Sequence, residues 1–232
     1  MRIKILTLWL ILITIGVAQA APVQFKPFQA QYDVYRNEQY VGTADFSFTE
    51  RNGAWIWYMQ TEPRGLYKWL TRKTPFSETL MMPAGDELRL LLELVGDYKK
   101  QPPEQKTWFD QKGQSIYYSR KNKQKQYPLP AELYTVDSIH LLHRRMQAQG
   151  VKQLDINFYK KGKLFNSRIL LETNVEEQGL NGLIEVDKMT QQLDNTDYRI
   201  IYFYTLDTLA PLKIEQIKTN GNSTLMWRTS VN

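Results

Sequence analysis

The chain has 232 residues, no cysteine and a formal charge of +6 at neutral pH. The missing cysteine excludes disulfides, thiolate metal sites and thiol catalysis. The mild positive charge does not by itself imply a nucleic-acid partner.

Residues 1–20 carry Arg2 and Lys4, an apolar run from Ile5 to Val17, and then Ala18-Gln19-Ala20, the small-x-small pattern of a signal-peptidase site. The apolar core of about 13 residues is short of the roughly 20 that a spanning helix needs. The expectation is a cleaved leader, a chain starting at Ala21, and a periplasmic location, with nucleic acid excluded as a partner by export. Lipid attachment is ruled out because it needs a cysteine. Removing Arg2 and Lys4 lowers the formal charge from +6 to +4. The remaining roughly 210 residues suffice for one domain, spanning 21–232.

Phe28 to Arg36 and Gln39 to Thr49 alternate as strands about an Asn37-Glu38 turn, with Gly42 as a bend. Asn52-Gly53 reverses the chain into Ala54 to Glu62, where Trp55 and Trp57 share one face. Arg64 to Lys73 breaks the alternation. It mixes Leu66, Tyr67, Trp69 and Leu70 with Arg64, Lys68, Arg72 and Lys73, as a short amphipathic connection does. Two arrangements suit it: a plug folded over one end of a curved sheet, or a mobile rim. In the second, Arg64 and Lys68 meet anionic groups while Tyr67, Trp69 and Leu70 meet an apolar partner.

Strands resume at Pro75 to Met82 and Glu87 to Val95 across Ala84-Gly85-Asp86, and at Lys106 to Asp110 and Ser115 to Arg120 across Lys112-Gly113. The polar run Arg120 to Gln126 reads as a solvated turn. Thr135 to Gly150 is the one long helical stretch, with Val136, Ile139, Leu142, His143 and Met146 on one face at 100° steps. Ile139, Leu142 and Met146 are its structural contacts. Leu141 falls on the far side, which suits a helix cupped by a curved sheet. Thr135 or Asp137 is the expected N-cap and Gly150 the left-handed stop.

Beyond the helix, Leu154 to Tyr159, Leu164 to Glu176, Leu183 to Leu193, Tyr198 to Leu206, Pro211 to Lys218 and Ser223 to Thr229 are strand-like. Their turns are Lys161-Gly162, Gly179 to Gly182, Asp194-Asn195 and Asn220-Gly221. About a dozen short strands must curl or split, because open sheets rarely exceed about ten. The fold class is therefore mainly β: a single-domain, strongly curved antiparallel sheet, a β-roll or partly open barrel, with one central helix at about 135–149 packed on it.

The order of landmarks resembles the DUF3108 family, exported bacterial proteins of unestablished function. The resemblance rests on YDVYRNEQYVGTADFSF with Tyr32 and Gly42, on GLYKWLTRKTPFSE from Gly65 to Glu78, and on Asp137 at the helix start. It continues through ETNVEEQGLNGLIEVDKM from Glu172 to Met189 and YFYTLDTLAPLKIEQIKTNG from Tyr202 to Gly221, with Pro211 and Gly221 in place. Ser138 and His140 depart from the Pro and Ser that the family pattern has after that Asp. The resemblance implies an antiparallel β fold and carries over no catalytic residue.

The residues offer little chemistry. His140 and His143, about 60° apart on one helical flank, lack an evident third ligand, so no metal and no cofactor is expected. No Gly-x-Ser-x-Gly accompanies them, and Ser138 reads as a capping residue. Glu176-Glu177 and Asp194 with Asp197 read as solvated charge beside turns. The aromatic residues suit cross-strand packing, or a groove for an apolar molecule. The function expected is thus a non-catalytic envelope binding or carrier module for a lipid-like or amphipathic ligand, with peripheral membrane contact. The alternative is a structural or assembly factor meeting an envelope protein through its surface; an enzyme of unknown class comes third.

Overall fold

The computed structural model describes residues 25–71, 73–85, 87–100, 102–179, 182–194 and 196–232. The expected leader and the Ala21 start lie outside the described residues, as do Arg72, Asp86, Leu180, Asn181 and Asn195 of the expected connections.

Alternation fixes the first strands. β1 (Phe28–Arg36) turns Phe28, Ala30, Tyr32 and Val34 inward, and β2 (Gln39–Arg51) and β3 (Ala54–Pro63) add Phe46, Phe48 and Trp57 to the same face. Two-residue turns set the register. Asn37 and Glu38 have φ of 46° and 67°, and Asn52 and Gly53 have 54° and 75°, the doubly left-handed conformation whose twist suits a tight hairpin. Gly42, at φ 150°, sits where a Cβ would stand 2.2 Å from the Glu62 carbonyl oxygen, so β2 and β3 approach there more closely than another residue permits.

A helix α1 (Gly65–Thr71) links β3 to β4 (Pro75–Ala84), which is followed by β5 (Glu87–Asp97), β6 (Gln105–Asp110), β7 (Ser115–Arg120) and β8 (Lys123–Pro128). The run containing β8 corrects the expected solvated turn. Its pattern shows no alternation because β8 is an edge strand exposed on both faces, and lysines on such an edge discourage pairing with another chain.

Helix α2 (Ile139–Gln149) begins later than the predicted 135. Thr135 and Ser138 exchange side-chain-to-backbone bonds in the manner of a capping box and the Ile139 N–H donates to the Thr135 carbonyl, so Thr135 caps a turn at 136–138 that leads into the regular helix, while Asp137 turns into the interior and does not cap. Ser138 holds the cap position without a side-chain capping bond, and Gly150, at φ 64°, closes the helix as expected. The remaining strands are β9 (Gln153–Lys160), β10 (Lys163–Gly179), β11 (Gly182–Leu193), β12 (Arg199–Tyr204), β13 (Lys213–Ile217) and β14 (Ser223–Val231).

All fourteen strands form one antiparallel sheet, in the order β8-β7-β6-β5-β4-β3-β2-β1-β14-β13-β12-β11-β10-β9. The sheet is not closed by strand pairing between β8 and β9. It is drawn round instead by the segment after β8: the Tyr134 N–H donates to the Asn157 carbonyl, and Tyr134 accepts from the Tyr159 N–H, a parallel bridge onto β9. The β9–β10 turn comes up against β7 and β8, where Tyr127 donates its hydroxyl proton to the Gly162 carbonyl. α2 fills the enclosed side, with Ile139, Leu142 and Met146 buried and Leu141 half-buried against the core.

Candidate functional site

The interior around α2 contains a cluster of buried polar side chains. His140 lies flat on Trp57, ring centroids 4.5 Å apart, and its Nδ1 is 2.8 Å from the Tyr204 hydroxyl. His143 stacks on the Tyr204 ring at 4.1 Å, and its Nε2–H donates to Asp187 Oδ2 at 2.9 Å. Burial pushes His140 down to about 3, and lowers His143 despite the Asp187 carboxylate beside it. Both rings are therefore neutral at physiological pH.

The carboxyls respond in the opposite direction. Burial raises Asp137 to about 6, against the hydrogen bonds that Thr79 and Ser77 donate to it. Glu93 is pushed up to about 8 by burial and by the nearby Asp137 charge; Thr107 lies 3.4 Å from it and 3.1 Å from the Tyr159 hydroxyl. The cluster is sealed: the His143 and Asp187 side chains are 0% and 1% exposed. His143 Nδ1 has no hydrogen-bond partner, so no nucleophile stands where the His143–Asp187 pair could activate it. Among the described residues, no three His, Asp or Glu side chains converge as a metal site would require. The two imidazoles point at Tyr204 and at Asp187, not at a shared point. These contacts tie α2 to β3, β11 and β12.

Sequence reasoning places His143 on the buried face but misses His140, Asp187, Glu93 and the inward turn of Asp137. Glu93 carries a signal, since a lone carboxylate within the apolar run Leu90 to Val95 has nowhere wet to go. The carboxylates singled out in the sequence are elsewhere. Glu176 and Glu177 belong to β10, and Glu177 pairs with Lys213 at 2.7 Å.

An open cleft of about 830 Å³ lies beside α2, where the β4–β5 and β6–β7 turns meet residues 129–134. Leu88, Leu129, Leu133 and Leu141 line it with Arg145. The Arg145 guanidinium bridges Glu87 at 3.2 Å and Glu132 at 2.9 Å and donates to the Tyr134 hydroxyl, which raises its already high affinity for a proton. The cleft thus sets leucine side chains beside a charge-paired polar rim.

The third feature is α1, on the far rim from this cleft. Leu66, Trp69 and Leu70 are 73%, 78% and 70% exposed, and no residue of the helix is buried. This corrects the plug arrangement: the apolar groups do not fold over the sheet end. At 100° steps they share one face, and that face points outward. Tyr67 is half-buried, while Arg64 and Lys68 are exposed beside it.

No family model matches the chain, and no curated protein matches it. Among solved structures it is similar to the crystal structure of a beta-barrel-like protein of domain of unknown function DUF1849 from Brucella abortus, with a TM-score of 0.55 and 11% identity. The match covers 89% of this chain and 97% of that one. At that identity the likeness shows the fold: a mainly β, barrel-like curled antiparallel sheet.

Proposed function

We propose that this chain is a non-catalytic binding module of the bacterial envelope, exported to the periplasm, and that it takes an amphipathic, lipid-like ligand in the cleft beside α2. The observation that carries the reading is the cleft itself, with a volume of about 830 Å³ and both leucine side chains and a fixed guanidinium in its lining. That volume lies in the range of small-molecule sites. The sealed interior supports the non-catalytic part, because its histidines and carboxyls are buried away from solvent. The leader pattern at 1–20 and the resemblance to DUF3108 sequences support export. N-terminal sequencing of the chain from fractionated cells tests it: the proposal expects Ala21 in the periplasmic fraction, and an intact Met1 in washed membranes overturns it.

Ligand binding is tested with a dansyl-labelled fatty acid. Ala148 lines the cleft and is exposed, so Ala148→Trp fills the space without touching the core. Saturable fluorescence enhancement should weaken at least about tenfold in this variant, a loss of about 1.4 kcal/mol. Absence of saturable binding, or binding unchanged in Ala148→Trp, overturns the assignment. A second reading, a structural or assembly factor, draws on the filled interior: with α2 occupying the inside, a partner meets this protein on its outer surface. Cross-linking that captures one envelope protein, with no probe binding, favours it.

A further inference from the structure

We propose that the rim carrying α1 is a docking face for an anionic lipid bilayer, with Leu66, Trp69 and Leu70 entering the headgroup layer. The inference stands apart from the cleft, which opens at the opposite rim.

The first argument is topological. Apart from β8 and β9, chain-consecutive strands pair antiparallel, so their connections alternate between two rims. One rim collects the β1–β2 turn, α1, the β5–β6 connection and the β7–β8 turn and, farther round the sheet, the β9–β10, β11–β12 and β13–β14 connections. The α1 and β5–β6 connections are fastened to each other: the Tyr98 N–H donates to the Thr74 carbonyl at 2.8 Å, and the Thr74 N–H to Asp97 Oδ1 at 3.0 Å. Around α1 this rim displays Arg64, Lys68, Lys73, Lys99, Lys100 and Lys121, all exposed, with Glu38 and Glu62 exposed among them. Among the described residues, only Lys73 of the six cations has a carboxylate partner, Glu104 at 2.8 Å. The opposite rim is mixed, with Glu87, Asp110 and Glu132 set against Arg89, Lys112 and Arg145. Cations thus outnumber carboxylates beside α1, while Asp194 and Asp197 lie farther round on the β11–β12 connection, and the local excess favours approach of the α1 side to an anionic plane.

The second argument is the orientation of α1. A helix on a sheet ordinarily turns its leucine face to the sheet, because burying each such side chain is favourable. Here that face is outward, and the exposed Tyr98 lies on the adjoining connection. Size then decides between partners. A stable protein interface needs about 800 Å² on each side, more than three side chains on a seven-residue helix supply. Interfacial binding to a membrane needs only a few apolar groups when cations surround them, each cation near the surface adding roughly fivefold to the affinity.

The experiment is co-sedimentation of the chain as purified, its N-terminus determined, with vesicles of phosphatidylethanolamine and phosphatidylglycerol, and separately of phosphatidylcholine. The expected result is partition onto the anionic vesicles only, weakened by salt. Trp69→Ala, and separately Lys68→Gln with Lys99→Gln and Lys100→Gln, should each lower it at least about fivefold, with melting unchanged. All four substituted side chains are exposed, so the variants retain the core. Comparing variants within one chain also removes any contribution of residues 1–20. A smaller loss in either variant, equal binding to phosphatidylcholine, or no binding to the anionic vesicles overturns the proposal.

Discussion

Glu93 and His140 face the same apolar interior from opposite sides of neutrality, and each should leave a separate mark on the pH dependence of stability. Folding raises Glu93 from 4.5 to about 8, so the native state holds the proton more tightly. The stability this contributes is complete below pH 4.5 and is lost as pH rises towards 8. Replacing it by Gln, which stays neutral, should give a variant whose stability relative to wild type increases steadily from pH 4.5 to 8, in denaturant melts taken across that window. His140 runs the other way. Its pKa falls from 6.5 to about 3 on folding, so its contribution is complete above pH 6.5 and is lost as pH drops towards 3. His140→Phe should cost about 1 to 3 kcal/mol at pH 7, because the buried Tyr204 hydroxyl loses its partner. Its acid limb should nevertheless be flatter than that of wild type. An acid limb as steep as the wild type's would assign the slope to other groups. The Asp187–His143 pair shows why such sites escape a reading of sequence. Asp187 shares a strand face with Met189, but only the curl of the sheet brings that face against α2.

At the scale of the element, legibility followed how cleanly each segment divides between core and solvent. α2 was readable because Ile139, Leu142 and Met146 repeat at helical spacing and end up buried. Its start was not, because the reciprocal bonds of Thr135 and Ser138 cap a turn at 136–138 that precedes the regular helix. β8 was hidden for the opposite reason, since an edge strand wet on both faces leaves no period-two pattern. α1 announced its composition but not its direction. Nothing local in Leu66, Trp69 and Leu70 tells whether they face the sheet or the solvent. Two substitutions measure the contrast between the helices. Leu142→Ala removes a side chain with no exposed surface and should cost about 2 to 5 kcal/mol. Trp69→Ala removes one that is 78% exposed and should change stability by no more than about 0.5 kcal/mol. Equal losses in urea melts would place α1 against the core after all.

For the whole molecule the open question of mechanics is how a fourteen-stranded sheet avoids presenting two bare edges. Closed barrels remove their edges by pairing the first strand with the last. This chain uses a seam of another kind, in which Tyr134 bridges onto β9 and the β9–β10 turn rests on β7 and β8. Gly162 is its tightest point. With φ at 72° it completes the turn with Lys161 at 50°, and a Cβ there would stand 2.7 Å from the Tyr118 ring. That ring cannot swing aside cheaply, being buried beneath the turn. Gly162→Ala therefore meets two penalties, a left-handed backbone conformation and an overlap with packed atoms, the second worth about 1 to 3 kcal/mol. Tyr127→Phe, which deletes only the hydroxyl that reaches the Gly162 carbonyl, should cost about 1 kcal/mol. If the seam is what holds the sheet round α2, both substitutions should also speed hydrogen exchange at the Tyr134 and Tyr159 amides, which make the parallel bridge. Exchange unchanged there, with stability lost, would mean that the two edges are held in place by α2 from within and that the seam merely follows.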